Sequence, residues 1–600
     1  MSKPRPLAQE KEIRMADRAL FRAIWPFVRP FAFLLAISTL MALAATFFEL
    51  LIPVMIQKAL DGFILPSTPE AGTIFLGLRF FSFKAFALVF FGLVLAGFGI
   101  GFIQTFFMEY TGQKIIFNLR CALFSHMTRL PVSYFDENAS GRLVARVAGD
   151  IENMNEMFTS VLVFMAKDMV LMAGVLIMLF YLNPDLTLFL SWIIPVLLVT
   201  VFGFSKAARK AFRTIRQKIG EINHQFSEGI SGIKVIQTIP AQKTFARRFE
   251  RLNQEHFHAA LFQIRIFALF MPFIGFLGVA LTAGIIFKGS VMVAGNSLTL
   301  GELVAFLTYV KLFFRPLREL SEKFNLLQNA LASAERIVTV LNRPQAQSPG
   351  GPGKAPGLSQ IKQVEFKAIH LSYTPGLPVL KGIPFSLSQG RSLGLAGQTG
   401  AGKSSVINLL TGFYRPDSGQ IRINGMDLAR LDIGDLRAKT ALVMQDPILF
   451  SGTVRDNICP WGAHIKDKDL KAALKKAGCD FLFEKFDGLS TRLMEGGRPL
   501  SSGEKQLVCI ARAFAFDPDL IIFDEATSYM DSGSEKAIHQ AMEKLLKGRM
   551  SILIAHRLST IRNCDEILLL GKGRVRERGS HEDLMALKGE YHHLLQQEKI

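Results

Sequence analysis

Leu393-Gly394-Leu395-Ala396-Gly397-Gln398-Thr399-Gly400-Ala401-Gly402-Lys403-Ser404-Ser405, continued by Val406-Ile407-Asn408-Leu409-Leu410-Thr411-Gly412, sets a short apolar run before a glycine-rich loop and a helical pattern behind it. This strand, loop, helix order is the context a phosphate-binding loop requires. Glycines let successive backbone N–H groups curl around phosphate oxygens, and the helix N-terminus adds its partial positive charge. Lys403 is placed to reach the β and γ phosphates and Ser404 to ligate magnesium. Gly397, Gln398, Thr399, Gly400, Ala401, Gly402, Lys403, Ser404 and Ser405 are thus candidate nucleotide contacts, with Mg²⁺ implied beside them.

Downstream, Leu520-Ile521-Ile522-Phe523-Asp524-Glu525 reads as a buried strand ending in two carboxylates. A nucleotide hydrolase built on such a loop needs this second element. Asp524 is the candidate magnesium ligand, and Glu525 the carboxylate that polarises the attacking water. Around these motifs, β-branched and apolar runs alternate with helical patterns in the α/β manner. The stretch Asn342 to Ser359, rich in Pro and Gly and without periodicity, reads as a linker.

The N-terminal half has another character. Six stretches qualify or nearly qualify as membrane spans of about 20 apolar residues, at 31–56, 84–108, 158–182, 186–204, 266–288 and 300–322. Asn183, Pro184 and Asp185 alone separate the third from the fourth, forcing a tight outer turn. The stretches between spans two and three, and four and five, are longer, basic and helix-favouring, as in Lys206 to Lys218, and predict helical hairpins reaching out of the membrane. Pro131 and the turn formers Asp136 to Gly141 mark one tip; Gly229, Gly232 and Pro240 bracket the other. Both tips are expected to dock on the α/β domain. Within the third span, Lys167 and Asp168 are adjacent charges that do not face each other on a helix, so each finds a partner elsewhere, faces a cavity, or snorkels from near the cytosolic end of the span.

Composition agrees. Half of the 600 residues are hydrophobic and Phe alone occurs 52 times, a surplus that calls for a lipid solvent. The length exceeds the roughly 250 to 300 residues at which single cores stop growing. The net charge of +19 concentrates in segments flanking apolar runs, as positive-inside topology requires, and does not point to nucleic acid. Cys121, Cys459, Cys479, Cys509 and Cys564 show no metal spacing and read as reduced thiols on the cytosolic side. Residues 1–20 lack a cleavable signal pattern, so the start is expected to stay cytosolic.

Leu500-Ser501-Ser502-Gly503-Glu504-Lys505-Gln506, some way before Asp524, resembles the signature motif of ABC transporters. Tyr373, Gln445, Asp531 and His556 follow in family order. They resemble, respectively, the adenine-stacking aromatic, the glutamine between ATP site and membrane domain, the dimer-contacting aspartate and the histidine that senses the γ-phosphate. Segments Phe135–Ser160 and Arg318–Ile337 look like parts of ABC exporters of the multidrug and lipid-flippase kind, so the resemblance covers essentially the whole chain. It implies a six-span α-helical transmembrane domain (31–329) after a cytosolic segment (1–30), a helix end and linker (330–360), and an α/β P-loop ATPase domain (361–597). It further implies ATP and Mg²⁺ as ligands, with Glu525, His556 and Gln445 catalytic, Ser404, Gln445 and Asp524 on the metal, and a head-to-tail dimer. In that dimer Ser501, Ser502 and Gly503 of one chain complete the other chain's ATP site.

One departure stands out. The signature usually reads Leu-Ser-Gly-Gly-Gln, and here Ser502 and Glu504 replace a glycine and the glutamine, setting a carboxylate near where a phosphate should lie. With Glu525 intact, the combination resembles one member of heterodimeric bacterial multidrug exporters, implying a partner half-transporter with a degenerate catalytic site, or else a homodimer. Fusion of the two domains in this order implies export of hydrophobic or amphipathic small molecules from a bacterial cytoplasmic membrane, amid membrane lipids, with both termini cytosolic. A lipid flippase with the same motor is the alternative; the spans carry only scattered basic residues. An ATP-gated channel would bring a large regulatory insertion, and a peptide exporter an N-terminal protease domain, neither of which the sequence displays.

Overall fold

The computed structural model describes residues 17–64, 73–75, 78–138, 140–157, 159, 163–239, 241–345, 357–459, 464–524, 532–554 and 558–598. Two compact units emerge: Met1–Thr128 with Ser140–Arg343, and Arg129–Ala139 with Pro344–Ile600.

The first unit is helical. A short amphipathic helix α1 (Asp17–Val28) leads to α2 (Ala32–Ala59), a small hairpin β1 (Thr73–Phe75) and β2 (Leu78–Phe80), and the 45-residue α3 (Phe83–Met127). The chain visits the second unit through α4 (Val132–Glu137) and returns with α5 (Ser140–Ala145), α6 (Ile151–Glu156) and α7 (Val163–Leu182). There follow α8 (Pro184–Leu190), α9 (Ile193–Ser231), α10 (Ile233–Thr238), the 53-residue α11 (Gln242–Ala294) and α12 (Leu300–Leu341).

Among the described residues, five helical stretches are long and apolar enough to cross a membrane, contained in Ala19–Ile64, Phe83–Met127, Val163–Leu182, Pro184–Ser231 and Gln242–Ala294. The expected sixth, 300–322, falls short on composition, because Glu302, Lys311 and Arg315 interrupt it. Packing nonetheless places it with the others: Leu303, Phe306, Tyr309 and Phe314 of α12 share one core with Leu171 of α7, Leu197 of α9 and Ile274 of α11. The outward apolar side chains, such as Phe98, Phe202 and Leu269, are at least 70% exposed, a surface that only lipid covers without cost.

Three sequence expectations change in detail. The fourth span is interrupted: α8 stops at Leu190, Ser191 and Trp192 form a turn, and the Ser191 hydroxyl donates to the Leu188 carbonyl, a local bond that competes with helix continuation. Asp136 and Glu137, read as turn formers, are the last residues of α4. Lys167 and Asp168 each find a partner on another helix: Lys167 Nζ lies 3.9 Å from Glu49, and Lys323 Nζ donates to Asp168 at 2.6 Å. Glu49 also accepts from Arg315 at 2.6 Å, so charge pairs join α2, α7 and α12. Other expectations match the observed elements: Asn183 caps α8 through its side chain, with Pro184 in the first turn, and α10 is the short segment of the second tip.

The second unit is α/β. An antiparallel sheet runs β4-β3-β6-β7, built from β3 (Gln363–Leu371), β4 (Leu380–Ser388), β6 (Ser418–Ile423) and β7 (Met426–Asp427). The six-stranded core sheet runs β14-β13-β5-β12-β11-β8. Its strands are β5 (Ser392–Ala396), β8 (Thr440–Val443), β11 (Leu520–Asp524), β12 (Met550–Ile554), β13 (Glu566–Gly571) and β14 (Arg574–Gly579), all parallel except the β14 edge. A small ribbon pairs β9 (Gly452–Thr453) with β10 (Arg492–Leu493). Strands β5, β11 and β12 are buried almost throughout, the apolar-run pattern of a parallel sheet covered on both faces. Helices α13 (Lys403–Leu410), α14 (Ile433–Ala438), α15 (Val454–Ile458), α16 (Asp467–Lys476), α17 (Phe481–Glu484), α18 (Ser502–Phe516) and α19 (Ser532–Leu546) follow in chain order, ending with α20 (Leu558–Ile561), α21 (His581–Leu587) and α22 (Glu590–Glu598).

Candidate nucleotide site and its link to the membrane half

Open parallel sheets bind ligands beyond the carboxyl ends of their strands, and here that edge gathers the phosphate-binding motifs. Ala396 ends β5 and the loop begins at Gly397 with φ 140°; Gly402 turns into α13 with φ 108°. A Cβ on Gly397 would fall 2.2 Å from the Leu570 carbonyl oxygen and one on Gly402 2.6 Å from Leu380 Cδ2, so both positions demand glycine. Lys403 is buried and donates to the Gly397 carbonyl, its ammonium curled onto the loop it belongs to. Gln398, Thr399, Gly400 and Ser404 are exposed, while Ala401 and Ser405 are buried. The narrow backbone cradle, one ammonium and an exposed hydroxyl in the first turn of α13 form a donor set that fits a magnesium nucleotide.

Register fixes the second element. Asp524 pairs with Ile554, and Ile554 with Leu395, so Asp524 stands level with the end of β5, two strands away, or about 10 Å across the sheet. Val443 pairs with Phe523, which sets exposed Gln445 just beyond β8, beside Asp524. Glu525, Asp531 and His556 lie outside the described residues. A cavity of about 470 Å³ flanks the loop, bounded by Gly397 to Ala401, Gly571, Arg576 and Glu590 of α22; Tyr373 is not among its walls.

Tyr373 is 43% exposed and held by its hydroxyl, which donates to Ser405 Oγ at 3.0 Å and accepts from Asn408 Nδ2 at 3.1 Å. Ser405 therefore braces the tyrosine. The ring of Tyr414 packs edge-on against Tyr373, with centroids 4.7 Å apart. Its hydroxyl donates at 2.6 Å to Asp136 of α4, the tip of the first hairpin. Burial, aided by the Asp136 carboxylate, pushes the Tyr414 phenol well above its ordinary range, which keeps it a donor. A chain of contacts thus runs from the loop through Ser405, Tyr373 and Tyr414 to a segment supplied by the membrane half. The second tip, at α10, belongs to the other unit.

The signature residues open α18. Ser501 Oγ accepts from Glu504 N at 3.3 Å and Glu504 Oε2 accepts from Ser501 N at 2.8 Å, a complete capping box. This corrects the sequence reading of Glu504: its carboxylate is turned back onto its own helix terminus, where the glutamine of the usual signature would make the same bond. Ser502 occupies the first helical position and needs no special backbone. Gly503 is required, since a Cβ there would meet Ser534 at 2.6 Å. The Ser501 hydroxyl accepts within the box, leaving its own hydrogen to donate outward.

Sequence reasoning missed the residues that tie these motifs together. Gln506 Nε2 donates to the Met444 carbonyl at 3.2 Å, next to Gln445, and Arg512 donates to Ile448 and Asn457 carbonyls at 3.1 and 2.8 Å. The signature helix thereby holds the backbone after β8. Gln506 closes the quoted signature, yet nothing in its spacing shows its partner; Tyr414 and Asp136 are 278 positions apart.

A family profile described as the ABC transporter transmembrane region matches residues 35–317, and one described as ABC transporter matches 380–528. The chain is 34% identical over 502 residues to a probable multidrug resistance ABC transporter ATP-binding/permease protein of Bacillus subtilis, covering 83% of this chain and 74% of that one.

The chain belongs to the ABC transporters. It is likewise 34% identical over 492 residues to a fatty acid ABC transporter ATP-binding/permease protein of Mycobacterium bovis, covering 82% of this chain and 78% of the relative. An ATP-dependent lipid A-core flippase of Syntrophus aciditrophicus is 30% identical over 579 residues, 96% of this chain and 94% of the other. This ABC transporter is accordingly an integral membrane protein of the exporter type, a helical transmembrane domain fused to an ATP-binding, ATP-hydrolysing α/β domain.

Proposed function

We propose that the chain is one half of a dimeric exporter that moves amphipathic or hydrophobic small molecules out across a bacterial cytoplasmic membrane, both termini on the cytosolic side. The carrying observation is the Tyr414–Asp136 bond, which ties a segment inserted in the membrane half's sequence to Tyr414, whose ring packs on Tyr373 beside the phosphate-binding loop. The loop from Gly397 to Ser405 holds the ATP phosphates, Lys403 supplies the point charge on them, and Tyr373 offers its exposed ring to the adenine. Ser404, Asp524 and Gln445 hold Mg²⁺, which when bound neutralises phosphate charge. Glu525 orients the attacking water and His556 contacts the γ-phosphate. Ser501, Ser502 and Gly503, with Asp531, complete the ATP site of the opposing chain.

Intact Glu525 beside an altered signature supports a heterodimer whose partner has a degenerate site. The capping box favours a second pairing, the homodimer, because Glu504 is turned onto its own helix terminus, whose N–H groups and dipole offset part of its charge. Purified alone in lipid, the chain should show ATPase activity stimulated by amphipathic dyes if it is a homodimer. Activity that appears only with a second half-transporter establishes the heterodimer. Stimulation by lipid headgroup variants and indifference to dyes would favour the flippase reading suggested by the fatty acid and lipid A relatives.

A further inference from the structure

An apolar cavity of about 520 Å³ opens within the first unit where α1 lies against α2, α7 and α12. Leu20, Ile24 and Val28 of α1 form one wall, Ala166 and the α12 residues Leu327 and Leu331 the opposite one. Among the described residues lining it, Thr39 carries the one hydroxyl, which already donates to the Leu35 carbonyl. A recess of this size leaves its apolar walls without packing partners, and such a lining does not hold ordered water. The occupant is therefore apolar.

Its headgroup can be read from the charges at the rim. Phe21 and Trp25 edge the cavity and are 62% and 42% exposed, the amphipathic aromatic placement of a membrane–water interface. Arg22 stands three residues before Trp25 on α1, and Arg29 four residues after it in the 3-10 turn Arg29–Phe31 that follows the helix; both are exposed and have no acidic partner among the described residues. The charges at the inner end are otherwise engaged: Lys167, next to Ala166, lies against Glu49, and Lys323, one turn from Leu327, binds Asp168 and Glu319.

We infer that this cavity binds one acyl chain of an anionic phospholipid from the leaflet that α1 lies on, with Arg22 and Arg29 holding the headgroup phosphate. The site rests on the membrane topology of the proposed exporter but not on its substrate. Two arginines near an anionic headgroup predict roughly tenfold or greater preference for it over a zwitterionic one. Filling the cavity should displace the chain.

The test is native mass spectrometry of the full protein released from nanodiscs containing equal phosphatidylglycerol and phosphatidylcholine. One phosphatidylglycerol should stay bound per chain, be lost in Ala166→Phe, and be retained roughly tenfold less selectively in Arg22→Gln/Arg29→Gln. Equal retention of the two lipids, adducts unchanged in the arginine variant, or displacement of the lipid by a neutral dye would overturn the site. Should Ala166→Phe fail to fold, the surface arginine variant still decides. ATP-driven dye transport, measured on the same preparations, separates failure of the lipid site from failure of the exporter reading.

Discussion

Glu504 shows how one side chain changes meaning once its orientation is known. In sequence it is an acid facing phosphate; in the fold it is the N3 residue of a capping box. Glu504→Gln should keep the box and leave both stability and ATP turnover within about twofold, whereas Ser501→Ala should destabilise the ATPase domain by about 1 kcal/mol in a denaturant titration. A tenfold gain in turnover from Glu504→Gln would restore the electrostatic objection. Glu525→Gln should lower turnover roughly 10²- to 10⁴-fold with ATP still bound, and Lys403→Ala should weaken nucleotide binding itself, both measured by fluorescent-nucleotide titration beside phosphate release. The loop and the strand before Asp524 were legible because their chemistry is local: glycine spacing and an apolar run need no partner. Glu504's orientation was not: Ser501 and Glu504 stand at capping-box spacing, but the same spacing also sets the carboxylate near a phosphate, and only the fold shows which way it turns.

At the scale of elements, α4 is a segment that interrupts the membrane half's sequence yet packs within the ATPase unit. Tyr414→Phe keeps the ring against Tyr373 and removes only the bond to Asp136. Dye stimulation of ATPase should fall several-fold in Tyr414→Phe and Asp136→Asn alike, with no further loss in the double variant, since both delete one interaction; additive losses would show that the bond is not the link. The long helical legs α9 and α11 are joined by Lys218, which donates to Glu255 at 2.7 Å and Glu221 at 2.9 Å. Those bonds hold both carboxylates below their ordinary range. A depressed carboxylate stabilises above its unfolded value and loses that contribution as pH falls through its folded value. Hydrogen exchange across residues 215–225 should therefore quicken on acidification below about pH 4, and Lys218→Met should abolish that pH dependence. Periodicity showed the legs and the tips, and the cost of a lone charge in lipid singled out Lys167 and Asp168 while leaving a partner, a cavity or the membrane edge open. Which partners, Glu49 and Lys323, depended on how α2 and α12 pack, and sequence spacing does not carry that.

For the whole molecule, two solvents are written into one chain. The spans leave large phenylalanines outward, while the parallel sheet buries its apolar strands on both faces, so each half identifies its own surroundings. The sixth span was the hardest to read, because α12 trades lipid compatibility for the charges Glu302, Lys311 and Arg315 and is held by packing instead. The account's central claim is that ATP hydrolysis at this site drives amphiphile movement. Its most direct measurement is ATP-dependent accumulation of an amphipathic dye in inverted membrane vesicles carrying the chain, together with its partner half-transporter if the heterodimer holds. Accumulation should require ATP and vanish in Glu525→Gln; dye movement that proceeds without ATP, or survives that substitution unchanged, would contradict it.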